Sequence, residues 1–125
     1  MERLVFRGNV YIVNLGDTIG SVQGGMRPCV VLSNDVNNAH SPTVQVVPLT
    51  SSEKTELPIH YTLDAKGHTF LKYDSIALTE QFTTIDKSQI QRYIGTLDKC
   101  DIDDILSRFD IQLGRITKET YYERI

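Results

Sequence analysis

No stretch of this 125-residue chain approaches the roughly 20 consecutive apolar residues that a membrane-spanning helix needs. The N-terminal Met1-Glu2-Arg3-Leu4-Val5-Phe6 has neither a long apolar core nor a small-residue cleavage site, so a secretion signal is not expected. Cysteine is scarce. Cys29 and Cys100 lie far apart without metal-type spacing, and both read as free thiols of a reducing cytosol. A basic surplus is also missing: the net charge of −3 speaks against bulk affinity for nucleic acid. The acids concentrate at Asp98, Asp101, Asp103, Asp104 and Asp110, so any RNA surface should lie away from that segment. Repeats, linkers and composition shifts are lacking too, and one domain is expected over residues 1–125, with a core of about 7–114 and a tail of 115–125. What is present, 40% hydrophobic and 23% charged residues, is ordinary for a domain that buries a real core.

Hydrophobic patterning predicts a series of strands. They are Val10–Leu15, Pro28–Ser33, Thr43–Thr50, Pro58–Leu63, a long Ser75–Ile85 and a short Tyr93–Leu97. In the third, Val44, Val46 and Pro48 share one face, and Gln45, Val47 and Leu49 the other. Pro48 cannot donate to a ladder, which suggests an edge or a bulge that would re-aim Thr50 toward the loop carrying Arg27. Asn34–Pro42 reads as a turn-forming cluster, and Asp86 caps a short helical turn. Ile102, Ile105, Leu106, Phe109 and Leu113 form one stripe of a closing helix from about Asp101, with Gly114 as its stop. Short strands followed by one helix suggest a strongly curved antiparallel sheet or small barrel.

The most informative stretch is Ser21-Val22-Gln23-Gly24-Gly25-Met26-Arg27-Pro28, followed by the apolar run Cys29-Val30-Val31-Leu32. Paired glycines permit close backbone approach by a ligand, and Pro28 biases Arg27 toward extended geometry. A cation is thereby held at the mouth of a buried strand. That is an anion site, or in the plainer reading a structural turn.

Gln23–Pro28, then Leu32-Ser33-Asn34-Asp35, His40-Ser41-Pro42-Thr43, Pro48-Leu49-Thr50-Ser51, Leu57-Pro58-Ile59-His60 and Glu80–Lys87 follow one another in an order that resembles the MazF/PemK-type toxins. The resemblance runs from about Arg7 to Leu113. It implies a mainly β fold with a C-terminal helix, the SH3-like small barrel of the MazF/CcdB toxins, working as a cytoplasmic homodimer. It further implies a sequence-specific, metal-independent endoribonuclease that cleaves single-stranded RNA to a 2′,3′-cyclic phosphate and a 5′-hydroxyl. The partner implied is a cognate antitoxin with a disordered acidic tail; no cofactor and no membrane are expected.

The resemblance places the catalytic pair on Arg27 and Thr50. An Arg fork matches phosphate oxygens and stays charged, which suits it to stabilise a phosphorane and makes it a poor general acid. Thr50 offers one hydrogen bond to hold in-line geometry. Candidate substrate contacts are Gln23, Gly24, Gly25, Ser51, Lys54, Glu80 and Gln81. Gln81 has the donors and acceptor to read a base edge, whereas Glu80 is expected to orient Arg27 or support the sheet. Lys72, Lys87 and Arg7 are further candidates for backbone phosphates. His60, mid-strand, is a candidate acid or base, with a satisfied sheet histidine as the competing reading. Tyr11 is expected in the core rather than stacked on a base. Scattered His40, His60 and His68 give no metal site.

Two departures stand out: Asn9 follows Arg7-Gly8 where relatives carry an acid, and Thr83 stands where many carry a cation. A missing phosphate contact there would weaken RNA binding or change which sequence is cut, and the cut site is expected to be short, single-stranded and different from that of close relatives. The competing functions are a same-fold toxin acting on a protein target such as gyrase, and a catalytically decayed binding module.

Overall fold

The computed structural model describes residues 4–51 and 56–117. Seven strands form one antiparallel sheet: β1 (Asn9–Asn14), β2 (Met26–Val31), β3 (Thr43–Thr50), β4 (His60–Leu63), β5 (Ser75–Leu78), β6 (Thr83–Asp86) and β7 (Ile90–Thr96). Two helices accompany them, α1 (Asp35–His40) and α2 (Lys99–Gln112). The strand order is β4-β5-β3-β2-β1-β7, with β6 pairing beside β3. The expected mainly β fold with a C-terminal helix is therefore present, as a small-barrel type sheet that is not closed.

Alternation along the central strands divides the core into two. Val10, Val30, Leu32, Val47 and Leu49 face one side, where Ile105 of α2 and its partly buried neighbours Ile102, Leu106 and Phe109 pack. Tyr11, Val13, Cys29, Val31, Val44 and Val46 face the other, joined by Ile85 and Ile90. Tyr11 is a core residue, only 4% exposed, and its hydroxyl accepts from the Phe6 N–H and from Asn9 Nδ2. Burial drives the Cys29 thiol up to about 12, against the opposing pull of the Arg27 charge. Cys100 is exposed near the start of α2.

Two expectations need correction and a third is refined. Asn34–Pro42 is not all turn: Asn34 accepts from the Asn37 N–H at 2.9 Å and caps α1. Asn38 is buried there and donates to the Ser33 carbonyl and to Asp35 Oδ1, so the Ser33–Asp35 block is a structural lock. The long strand over 75–85 is two strands, β5 and β6, separated by a 3₁₀ turn at Thr79–Gln81. Pro48 lies inside the sheet and not on an outer strand, but at a local edge, because it pairs with β2 on one side and has no strand pair on the other. It falls between Val46, the last residue paired with β6, and Leu49, the first paired with β5. A missing N–H costs little at that change of partner.

The chain closes where expected, with α2 beginning two residues earlier. Asp98 Oδ1 accepts from the Asp101 N–H at 2.9 Å and makes Asp98 the cap. Asp86 caps the second 3₁₀ turn, Lys87–Gln89, in a reciprocal capping box with Gln89. No helix among the described residues is long and apolar enough to cross a membrane.

Candidate active site

The geometry of Arg27 and Thr50 follows from strand register. Cys29 of β2 opposes Pro48 of β3, and the pairing is antiparallel. Cys29–Pro48 is the last pair of that ladder; two residues beyond it Arg27 pairs with Val13 of β1 and Thr50 with Ile76 of β5. By alternation, Arg27 falls on the face of Cys29 and Val31, and Thr50 on the face of Val44 and Val46, the residues that build one half of the core. Thr50 is buried, at 4% exposed; Ser51 beyond it is exposed.

Arg27 is half-buried, and its direction is set by the loop between β1 and β2. Its Nε donates to the Gly24 carbonyl at 3.0 Å. Both Nη groups are left without a hydrogen bond or ion pair among the described residues. The loop closes at its base through Leu15 N–H to Gly25 O and Gly25 N–H to Gly16 O, each 2.9 Å. Gly24 has no room for a side chain: a Cβ would meet Thr18 Oγ1 at 2.5 Å and the Gly16 carbonyl at 2.9 Å. Gly25 takes φ +70°, a left-handed conformation that favours glycine. The two glycines thus do different work, one permitting close packing and the other the turn into β2.

Gln81 meets this loop from across the chain. Its Oε1 accepts from the Gln23 N–H at 3.1 Å, and its Nε2 donates to the Ser21 carbonyl at 3.2 Å. The Gln23 side chain is half-buried, and its own Oε1 is buried with no hydrogen-bond partner among the described residues. Lys54 lies outside the described residues.

Glu80 does not reach Arg27; it pairs with His60, Nε2 to Oε2 at 2.7 Å. The other ring nitrogen, Nδ1, accepts from the Leu57 N–H at 3.1 Å. That acceptor fixes the tautomer with the proton on Nε2, donating to Glu80. His60 is 3% exposed and both nitrogens are engaged, so it is the satisfied sheet histidine of the two readings. A second polar cluster went unnoticed in the sequence. His68 Nε2 meets Asp101 Oδ2 at 2.7 Å, Tyr61 donates to Asp101 Oδ1 at 3.0 Å, and His68 Nδ1 donates to the Asp64 carbonyl at 2.7 Å. Burial works against charge on His68, but the hydrogen bonds to Asp101 and Asp64 hold its pKa above the ordinary value. Periodicity could not reveal this, since the three groups come from β4, a loop and α2.

Of the two departures, Asn9 is absorbed into structure. It accepts from Thr96 Oγ1 at 2.8 Å and donates to the Tyr11 hydroxyl at 3.0 Å. Thr83 is exposed at the start of β6. An apolar cavity of about 380 Å³ lies elsewhere, between Leu32, Phe82, Leu106 and Phe109, and neither Arg27 nor Thr50 lines it.

Comparison with known proteins places the chain. The family described as PemK-like, MazF-like toxin of type II toxin–antitoxin systems matches residues 6–113. Endoribonuclease EndoA of Bacillus subtilis is 40% identical over 114 residues, 90% of this chain and 97% of that protein. Endoribonuclease MazF of Staphylococcus epidermidis is 36% identical over 112 residues, covering 89% and 92%. Among solved structures, MazF from Deinococcus radiodurans superposes with a TM-score of 0.77 at 24% identity, covering 90% of this chain and 99% of that one. A mycobacterial endoribonuclease in complex with its cognate antitoxin gives 0.73 at 23% identity, covering 91% and 99%. The chain belongs to the PemK-like, MazF-like toxins of type II toxin–antitoxin systems.

Proposed function

We propose that this chain is the toxin of its pair and an endoribonuclease that cuts single-stranded RNA by transesterification within the strand, without a metal ion. The observation that supports the reading is that Arg27 and Thr50 each lie two residues beyond the last β2–β3 pair, Cys29–Pro48, on the same face by strand alternation. The 2′-hydroxyl attacks phosphorus in line, the bond to the 5′-oxygen breaks, and the products are a 2′,3′-cyclic phosphate and a 5′-hydroxyl. Arg27, held through Nε by Gly24, turns its Nη groups to the phosphorane oxygens, where charge builds up. Thr50 donates its hydroxyl to the same phosphate and holds the in-line angle. Gln23, Gly24, Gly25 and Ser51 form the approach to that phosphate, and Lys54 adds a backbone contact. Glu80 acts through His60 rather than on RNA.

Function in the cytoplasm as a homodimer, neutralised by an antitoxin whose acidic, disordered segment folds onto the RNA groove, completes the reading. The mycobacterial endoribonuclease solved in complex with its cognate antitoxin supports this partnership. A protein-directed toxin has no need of an Arg–Thr pair converging on one phosphate.

The test is cleavage of a long single-stranded RNA by purified protein in excess chelator, with the product ends identified. Cleavage at a restricted set of sites with cyclic phosphate ends is expected, and Arg27→Ala should abolish it while leaving the fold intact. Activity lost in chelator and restored by magnesium would refute the metal-free mechanism. Cleavage without sequence bias would contradict the specificity.

A further inference from the structure

We infer that Gln81 is a positioning residue, a clamp on the β1–β2 loop that keeps Arg27 aimed at the scissile phosphate. The inference rests on the nuclease reading and assigns Gln81 a task other than base recognition.

The case begins with how the 3₁₀ turn Thr79–Gln81 is anchored. Thr79 is buried and donates from Oγ1 to the Ile59 carbonyl at 2.6 Å. Glu80 is tied to His60, which is itself tied to the Leu57 N–H. Phe82, just beyond, packs edge-on against Phe109 of α2, with ring centroids 5.0 Å apart. Residues on either side of Gln81 are therefore fixed to the body of the domain, and Gln81 alone of the turn reaches out to the loop.

Its side-chain amide engages the loop backbone as a neighbouring strand would, accepting from Gln23 N–H and donating to Ser21 O. Both polar ends of the amide are thereby occupied by backbone, leaving little with which to read a base. One residue past Gln23, the Gly24 carbonyl receives Arg27 Nε. The sequence of contacts runs from β4 through the turn and the loop to the guanidinium. The loop tip has little else to hold it: Ile19 is 90% exposed and Val22 57% exposed. Without the clamp, the loop's remaining hydrogen bonds among the described residues are those at its base, the Arg27 Nε bond to the Gly24 carbonyl, and the internal Thr18–Val22 and Val22–Ile19 bonds.

The experiment compares wild-type protein with Gln81→Ala and Gln81→Glu in single-turnover cleavage of a short single-stranded RNA containing the mapped site. In parallel, backbone amide exchange is followed by NMR without RNA. Gln81→Ala should lose protection at the Gln23 amide and lower kcat about 10- to 100-fold, with KM within about twofold and an unchanged cleavage map. Gln81→Glu keeps the acceptor for Gln23 and loses the donor for Ser21, so it should fall between. In an Arg27→Lys background, where no Nε–H is available to Gly24 in that geometry, the Gln81→Ala effect should shrink to under about twofold. Gln23 protection that survives Gln81→Ala overturns the clamp. So does an altered cut sequence at unchanged kcat, the signature of base reading, and so does lost protection with kcat intact. Wild-type protein that cuts no RNA defeats the nuclease reading, while the exchange experiment still decides the clamp.

Discussion

Gly24→Ala separates a loop built around one close contact from a loop that merely connects two strands. The added methyl would sit 2.5 Å from Thr18 Oγ1 and 2.9 Å from the Gly16 carbonyl. Thr18 is exposed and can turn away, losing its 2.7 Å bond to the Val22 carbonyl. The Gly16 carbonyl cannot move as cheaply, because it receives the Gly25 N–H that closes the loop. One or two hydrogen bonds at about 0.5–1.5 kcal/mol each, with strain from overpacking, put the stability loss at about 1–3 kcal/mol. For a domain of this size that lowers Tm by about 3–5 °C per kcal/mol. The larger effect falls on catalysis. Displacing the Gly24 carbonyl releases Arg27 Nε, and a misplacement of about 1 Å at a reacting centre costs on the order of 100-fold in rate. Thermal melts followed by circular dichroism and single-turnover cleavage measure the two effects separately. Thr18→Ala in the same chain removes the first obstacle but leaves Gly16, so it should restore activity only in part. A Gly24→Ala protein with wild-type Tm and wild-type rate would refute the reasoning, and full rescue by Thr18→Ala would show that the Gly16 contact is unimportant.

Other consequences follow from the core and the second polar cluster. Cys29 is fully buried with its thiol pKa pushed up to about 12, whereas Cys100 is exposed; a thiol reagent at pH 8 should modify one group in native protein and two after denaturation. His68 has a folded pKa above its usual 6.5, so its contribution to stability is fully present below about pH 6.5 and is lost as pH rises through the folded value. Urea midpoints across pH 5.5–8.5 should show that decline in wild type and a flatter profile in His68→Gln; parallel profiles would count against it. Gly95→Ala drives a methyl into the Phe70 ring that covers β7, and should lower stability by about 1–3 kcal/mol in urea unfolding, with Phe70→Leu relieving part of it.

Much of the fold was legible because alternation reports which face a strand residue occupies. The assignment of Val44 and Val46 to one side and Val47 and Leu49 to the other holds in the two halves of the core. The division of 75–85 was not legible. Thr79, Glu80 and Gln81 are three polar residues in a row inside a run of strand formers, and the bonds to Ile59, His60 and the loop that hold the turn join residues distant in sequence. The helix at Asp35–His40 carried a signal, a capping Asn34, within a run of turn-forming residues that masked it. Arg27 and Thr50 rest on family resemblance, and nothing local shows that β2 and β3 are paired neighbours whose ladder ends two residues short of them. The contacts of Gln81 with the loop backbone are not legible in the sequence. A side-chain amide looks the same in sequence whether it meets a base or a backbone 58 residues away.

The central claim is that Arg27 and Thr50 act on a single phosphate. A double-mutant cycle of Arg27→Lys and Thr50→Val, read as single-turnover rates on one short RNA in chelator, tests it most directly. Groups that share one phosphate should be coupled, so the double variant should lose at least about tenfold less than the product of the two single losses. Losses that simply multiply, or a Thr50→Val protein as fast as wild type, would contradict it.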